Sequence, residues 1–192
     1  MSLTNIMIVG VGGQGTLLAS KLLGKVFTES GNDVKVSEVH GMSQRGGSVV
    51  TYVRFGEKVY SPVIDKGEAD IILAFELLEA ARWAEYLKPG GRIVVNTQRI
   101  DPMPVITGAM AYPEELVSKL IATGADVDAR DFLAIAEAAG SARAVNVAML
   151  GALSASFPAI PLTVWQEALN AIVPPKFLEL NQKAFTAGRG DA

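Results

Sequence analysis

The chain has 192 residues, with 17 Lys and Arg against 20 Asp and Glu, one histidine and no cysteine, and its length suits one domain with a sizeable core. Zero cysteine excludes disulfides, a thiolate nucleophile, Cys-type zinc sites and any iron–sulfur cluster ligated from this chain, and His40 alone cannot build a multi-histidine metal centre. A net charge of −3 argues against nucleic acid, which needs a clustered basic face, while 19% charged residues is sparse enough to suggest that a partner covers part of the surface.

The N-terminus lacks the basic start and small-residue cleavage site of a secretory signal, so a cytoplasmic location is expected. Residues 5–9 read as a short strand ending in Gly10-Val11-Gly12-Gly13-Gln14-Gly15. A helix follows, with Leu18, Leu22 and Val26 at four-residue spacing and Leu23 and Phe27 widening the stripe. Gly24 inside it costs about 1 kcal/mol relative to alanine, tolerable where a helix packs closely on a sheet. Gly31-Asn32-Asp33 closes the helix and residues 34–39 form a second strand, which completes a right-handed strand–helix–strand unit.

Residues 48–55 alternate, with Val49, Thr51, Val53 and Phe55 on one face and Val50, Tyr52 and Arg54 on the other. Gly56-Glu57 then turns the chain into Lys58-Val59-Tyr60, which predicts a hairpin and a partly antiparallel sheet. Residues 69–75 are a continuous apolar run, the pattern of a strand buried on both faces. A helix over 76–87 is stopped by Lys88-Pro89-Gly90-Gly91, and 92–96 is another buried strand. Pro102 and Pro104 mark a loop, and Tyr112-Pro113-Glu114-Glu115 opens a helix reaching Ala122. One more strand is expected at 126–130, then helices at 131–139, 144–157, 162–172 and 175–186, with a frayed tail from Gly188. Residues 144–166 carry no charge and have the length of a membrane span, but Pro158 and Pro161 interrupt them, so a buried helix is the better reading and no membrane partner is expected. The expected architecture is α/β in three layers, α/β/α, with a mixed, mostly parallel sheet, a Rossmann-like start and a helical C-terminal third, over residues 1–192 as a single domain.

Gly10-x-Gly12-x-x-Gly15 follows a strand and opens a helix, where backbone amides cradle anions. Glu38, 23 residues beyond Gly15, stands where a dinucleotide fold holds its ribose. Against a nicotinamide or flavin site, the hairpin replaces the helix that a doubly wound fold needs, and Gln14 puts a polar amide into the turn. A dinucleotide, another anion or partner contact, and a purely structural turn all remain open. A second glycine loop, His40-Gly41-Met42-Ser43-Gln44-Arg45-Gly46-Gly47-Ser48, leaves the second strand at the same sheet edge, where open α/β sheets bind ligands. Arg45 is the only charge between Glu38 and Arg54, a planar fork for carboxylate or phosphate, or else the partner of Glu38 or a helix end. His40 reads as a structural hydrogen-bonder, and Met42 as core filler or a soft contact surface. Glu76 and Asn96, ending two buried strands, either line a cleft at that edge or cap the segments that follow. With no Ser–His–Asp order, convincing carboxylate pair or Walker lysine, the chain reads as part of a site.

Gly10-Val-Gly-Gly-Gln-Gly-Thr16, Ser37-Glu-Val-His-Gly-Met-Ser-Gln-Arg-Gly-Gly-Ser48 and Tyr60-Ser-Pro-Val-Ile64 resemble the gamma-type module of the 2-oxoacid:ferredoxin oxidoreductases, and more closely the small (beta) subunits of its indolepyruvate branch. The likeness continues through Gly67-Glu-Ala-Asp70, Ala74-Phe-Glu76, Pro89-Gly-Gly91, Tyr112-Pro113 and Asn146-x-x-Met-Leu-Gly151, with the Met-Ser-Gln-Arg-Gly-Gly loop its most specific part. The resemblance implies coenzyme A-dependent oxidative decarboxylation of aryl pyruvates such as indolepyruvate, giving an aryl-acetyl-CoA, carbon dioxide and reduced ferredoxin. It implies no cofactor bound by this chain alone. Thiamine diphosphate, magnesium and the iron–sulfur clusters would sit on a large partner subunit, through which ferredoxin is reached. Gly12, Gly13, Gln14 and Gly15, with Met42, Ser43, Gln44, Arg45, Gly46 and Gly47, are the residues expected to face the shared cleft, and Arg45 the one to meet a substrate carboxylate or coenzyme phosphate.

Overall fold

The structure, a computed structural model, describes residues 3–38 and 47–190. In chain order it contains β1 (Thr4–Val11), α1 (Thr16–Glu29), β2 (Asp33–Glu38), β3 (Ser48–Gly56), β4 (Ala69–Ala74), α2 (Leu77–Trp83), β5 (Leu87–Asn96), α3 (Met103–Ile106), α4 (Leu116–Ala122), β6 (Asp126–Arg130), α5 (Phe132–Ala138), α6 (Val145–Ser154), α7 (Leu162–Ile172) and α8 (Pro175–Arg189). The strands form one sheet in the order β2-β3-β1-β4-β5-β6. β1, β4, β5 and β6 run parallel, and β3 runs antiparallel to both β1 and β2.

Alternation along β1 divides the core between two faces. Ile6 and Ile8 pack under α1, α5 and the C-terminal helices, whereas Met7 and Val9 pack under α2 and α4. These are the three layers expected from the sequence. The α1 stripe is buried at Ala19, Leu22, Leu23, Val26 and Phe27, and the Phe27 ring stacks on Phe55 of β3 at 3.6 Å between centroids. A Cβ on Gly24 would meet only Val36 Cγ2, at 3.8 Å, so close packing does not demand glycine there. Gly24→Ala is therefore expected to raise stability by about 0.5–1 kcal/mol in urea unfolding, since alanine is the better helix former.

The alternation in β3 holds, with Val53 and Phe55 on one face and Val50 and Tyr52 on the other, but its partners differ from the predicted hairpin. Lys58–Tyr60 is not a strand, and β3 is instead inserted between β1 and β2. The reason is local. The Val59 N–H donates to the Asp33 carboxylate at 2.9 Å, and Arg54 donates to the carbonyls of Ser61 (3.1 Å) and Val63, which pulls the chain off the β3 ladder. Hydrogen bonding from Lys35, then from the Val59 amide, lowers the Asp33 pKa from 3.8 to about 2. A carboxylate with a depressed folded pKa stabilises above its unfolded pKa, and that contribution disappears as pH falls through the folded one. Asp33→Asn should therefore lower stability at neutral pH and flatten the loss of stability between pH 3.8 and about 2, as read by denaturant unfolding at stepped pH.

Three other boundaries move. Leu87 already pairs with Ala69, so Lys88-Pro89-Gly90-Gly91 is an irregularity within β5 rather than a stop before it. The helix predicted from Tyr112 begins only at Leu116, because the Tyr112 hydroxyl is held by Glu76 and Glu115 takes up a left-handed N-cap conformation (φ 55°). The tail expected to fray at Gly188 is helical through Arg189, and Gly188 is buried against α6. The uncharged segment folds as α6, buried at every position from Asn146 to Ser154, and among the described residues no helix is long and apolar enough to cross a membrane.

Candidate functional site

All six strands contribute to one edge of the sheet. Four parallel strands end there at Val11, Ala74, Asn96 and Arg130, β2 ends there at Glu38, and β3 begins there at Ser48, opposite Val11. The first glycine loop crosses this edge between β1 and α1. The Gln14 side chain fills its interior, with Oε1 accepting the Val11 N–H at 2.7 Å and Nε2 donating to the Phe75 carbonyl at 3.0 Å. A Cβ on Gly10 would lie 2.8 Å from Gln14 Oε1, so that glycine makes room for the amide. Gly15, at φ 84°, is the N-cap of α1, and a Cβ there would lie 2.7 Å from Nδ2 of Asn146. The buried Asn146 of α6 braces the loop, its Nδ2 donating to the Gly15 carbonyl at 3.4 Å.

The Phe75 carbonyl also accepts from Asn96 Nδ2 at 3.3 Å, and Asn96 Oδ1 accepts the Phe132 N–H at 3.1 Å. Glu76, 1% exposed, caps α2 through the Glu79 N–H (2.9 Å) and accepts from the Ile100 N–H (3.1 Å) and the Tyr112 hydroxyl (2.7 Å). Burial, followed by the bond to Glu76, raises the Tyr112 pKa well above its ordinary value. Glu76 thus caps the helix that follows it, the second of its two readings, whereas Asn96 caps no following segment and instead ties the Phe75 carbonyl to the first residue of α5. They organise the edge and do not point to acid–base chemistry.

The two glycine loops meet: the Gly12 N–H donates to the Gly47 carbonyl at 2.9 Å. Of the residues singled out in the sequence, the structure places Gly12, Gly13, Gln14, Gly15 and Gly47 together at this edge. His40, Met42, Ser43, Gln44, Arg45 and Gly46 lie outside the described residues. Glu38 is engaged elsewhere, its carboxylate accepting from Ser20 of α1 at 2.6 Å. With β3 between β1 and β2, Glu38 stands two strands from the glycine loop, and this placement departs from the adjacency that a dinucleotide site requires. Sequence reasoning missed the structural role of Asn146, although a polar residue inside an uncharged helix was a visible signal. It also missed Glu79, a buried carboxylate that accepts from the hydroxyl of the exposed Ser48.

A family model described as pyruvate ferredoxin/flavodoxin oxidoreductase matches residues 5–190. The chain belongs to that family. It is 44% identical over 189 residues to the indolepyruvate oxidoreductase subunit IorB of Thermococcus kodakarensis, covering 96% of this chain and 93% of that one. It is 42% identical over 196 residues to the subunit of the same name from Pyrococcus horikoshii, again with 96% and 93% covered. The fold matches the crystal structure of the gamma subunit of a keto/oxoacid ferredoxin oxidoreductase from Geobacter sulfurreducens, with a TM-score of 0.73, 24% identity and 98% of each chain covered. As a family member the chain is a subunit of the 2-oxoacid:ferredoxin oxidoreductase class. Its own residues do not fit the iron–sulfur clusters of that class, since with no cysteine it offers no thiolate. Among the described residues no group of three or more His, Asp or Glu side chains is placed to hold a metal ion.

Proposed function

We propose that this chain is the non-autonomous small subunit of an indolepyruvate-type oxidoreductase, forming one wall of an active site whose other wall is a large thiamine- and iron–sulfur-bearing subunit. The observation that carries this reading is the Gly12–Gly47 bond. It sets two glycine loops side by side at the ligand-binding edge of an α/β sheet, while the polar side chains around them, the half-buried Gln14 and the buried Glu76 and Asn96, are all engaged in capping and bracing. Such an edge offers backbone and loop contacts without a set of catalytic groups. The names of the Thermococcus and Pyrococcus relatives suggest the substrate class. Leu17, 45% exposed on the first turn of α1 beside the loop, is an apolar contact of the kind a partner covers.

On this reading the complex carries out the coenzyme A-dependent oxidative decarboxylation of aryl pyruvates to aryl-acetyl-CoA and carbon dioxide, with the electrons passing to ferredoxin in the cytoplasm. Thiamine diphosphate and magnesium, held by the large subunit, supply the decarboxylation chemistry. The part assigned to this chain is binding: Gly12 to Gly15 shape the wall, and residues 42–47 present Arg45 to a substrate carboxylate or coenzyme phosphate. Size-exclusion chromatography of the co-expressed pair tests the assembly. Co-elution with a large cysteine-rich subunit is expected, and separate elution would contradict it. Thermal shift with NAD, FAD and coenzyme A tests the alternative of a stand-alone dinucleotide-binding protein. Given the position of Glu38, no shift is expected with NAD or FAD, and a saturable shift with either would favour that alternative.

A further inference from the structure

The root of the second glycine loop, where it rejoins the sheet, is held from a second direction. One residue beyond Gly47, the exposed Ser48 donates its hydroxyl to a carboxylate oxygen of Glu79. The Trp83 indole N–H donates to the same hydroxyl at 3.3 Å. Glu79 is only 5% exposed, in the first turn of α2. The groups facing it are Ser48 from β3 and Arg82 (3.3 Å), Trp83 and Glu76 from α2. Burial raises its pKa and Glu76 adds to the rise, while Ser48 and Arg82 oppose it. A buried carboxylate is costly unless its oxygens are satisfied, and α2 does not need this one, because Glu76 already caps the helix. What Glu79 does reach is the first residue of β3.

We propose that Glu79 is a positioning residue for the second glycine loop: through the Ser48 hydroxyl it fixes the loop's C-terminal root to α2, while Gly12 fixes the preceding residue to the first glycine loop. Gly47 and Ser48, where the loop rejoins the sheet, are thereby held from both elements, Ser48 lying 31 positions from Glu79 in the chain. The functional weight of this clamp rests on the reading of the loop as an active-site wall.

Trypsin provides a readout of the clamp that does not depend on activity, because Arg45 is the only tryptic site between Lys35 and Arg54. The rate of cleavage at Arg45 is followed by mass spectrometry in the full chain, for wild type, Ser48→Ala, Glu79→Ala, Glu79→Gln and Ser48→Ala/Glu79→Ala, well below each melting temperature. Losing one hydrogen bond of roughly 1 kcal/mol corresponds to about a fivefold faster cut. We expect that acceleration in Ser48→Ala and Glu79→Ala alike, and no further acceleration in the double variant. Glu79→Gln, whose amide oxygen still accepts from Ser48, is expected near the wild-type rate. Wild-type rates in both single variants, or accelerations that multiply in the double variant, overturn the proposal. Should Glu79→Ala fail to fold, Ser48→Ala and Glu79→Gln still decide it. Turnover by the assembled complex separates the two readings: accelerated cleavage with unchanged turnover upholds the clamp and sinks the active-site role of the loop.

Discussion

Gly151→Ala is expected to lower the stability of the chain by about 3 kcal/mol, the upper end of what overpacking a close contact costs. The argument is steric. A Cβ on Gly151 of α6 would lie 2.0 Å from the Phe185 carbonyl oxygen and 2.9 Å from the Arg189 amide nitrogen of α8. The reciprocal contact is as tight, a Cβ on Gly188 falling 1.8 Å from the Ala148 carbonyl oxygen. Backbone atoms on a helix cannot rotate away as a side chain can, so the two helices must separate. That would open the centre of the C-terminal layer, where α6 is buried at all but its first position, and break the bond from Arg189 to Ser154 (2.8 Å). For a domain of this size the change corresponds to a melting temperature lower by roughly 6–12 °C. Scanning calorimetry checks it, and Gly24→Ala is the internal control, since the same substitution with room for a methyl group shifts stability the other way.

Arg45→Ala should reduce kcat/KM for an aryl pyruvate in the assembled complex by roughly 10- to 100-fold, with assembly and melting temperature unchanged. A charge-assisted contact to a carboxylate or phosphate is worth roughly 1.5–3 kcal/mol, and every 1.4 kcal/mol is about tenfold. Arg45 is the only charged residue between Glu38 and Arg54, so no neighbouring cation in the loop can substitute for it. A split in which KM rises and kcat holds points to ground-state binding of the anion. Unchanged kinetics together with a lower melting temperature would return Arg45 to the structural reading, an internal partner for Glu38 or a helix end.

How far the sequence revealed the fold depended on the range of the interaction. Periodicity in α1 and alternation in β3 depend on neighbours a few residues apart, and both are legible. The partner of an alternating strand is not: β3 pairs with β1 and β2, while Val59, which looked like the start of a return strand, bonds the Asp33 carboxylate. The glycine pattern announced the first loop, but its internal plug was visible only as an out-of-place Gln14. Nothing local in the sequence singles out Glu79, whose partner Ser48 lies 31 positions away. Gly151 stood out only as the end of a family motif and Gly188 as the start of a loose tail, yet together they set how closely α6 and α8 approach. In each case the missing information was a contact distant in sequence.

The central claim, that this chain is one wall of a shared site, is tested most directly by reconstituted turnover. The purified chain, the purified large subunit and the mixture are each assayed for coenzyme A-dependent oxidation of indolepyruvate with ferredoxin as acceptor. The account predicts activity in the mixture alone. Full activity in the large subunit without this chain, or acceptor reduction by this chain on its own, would contradict it.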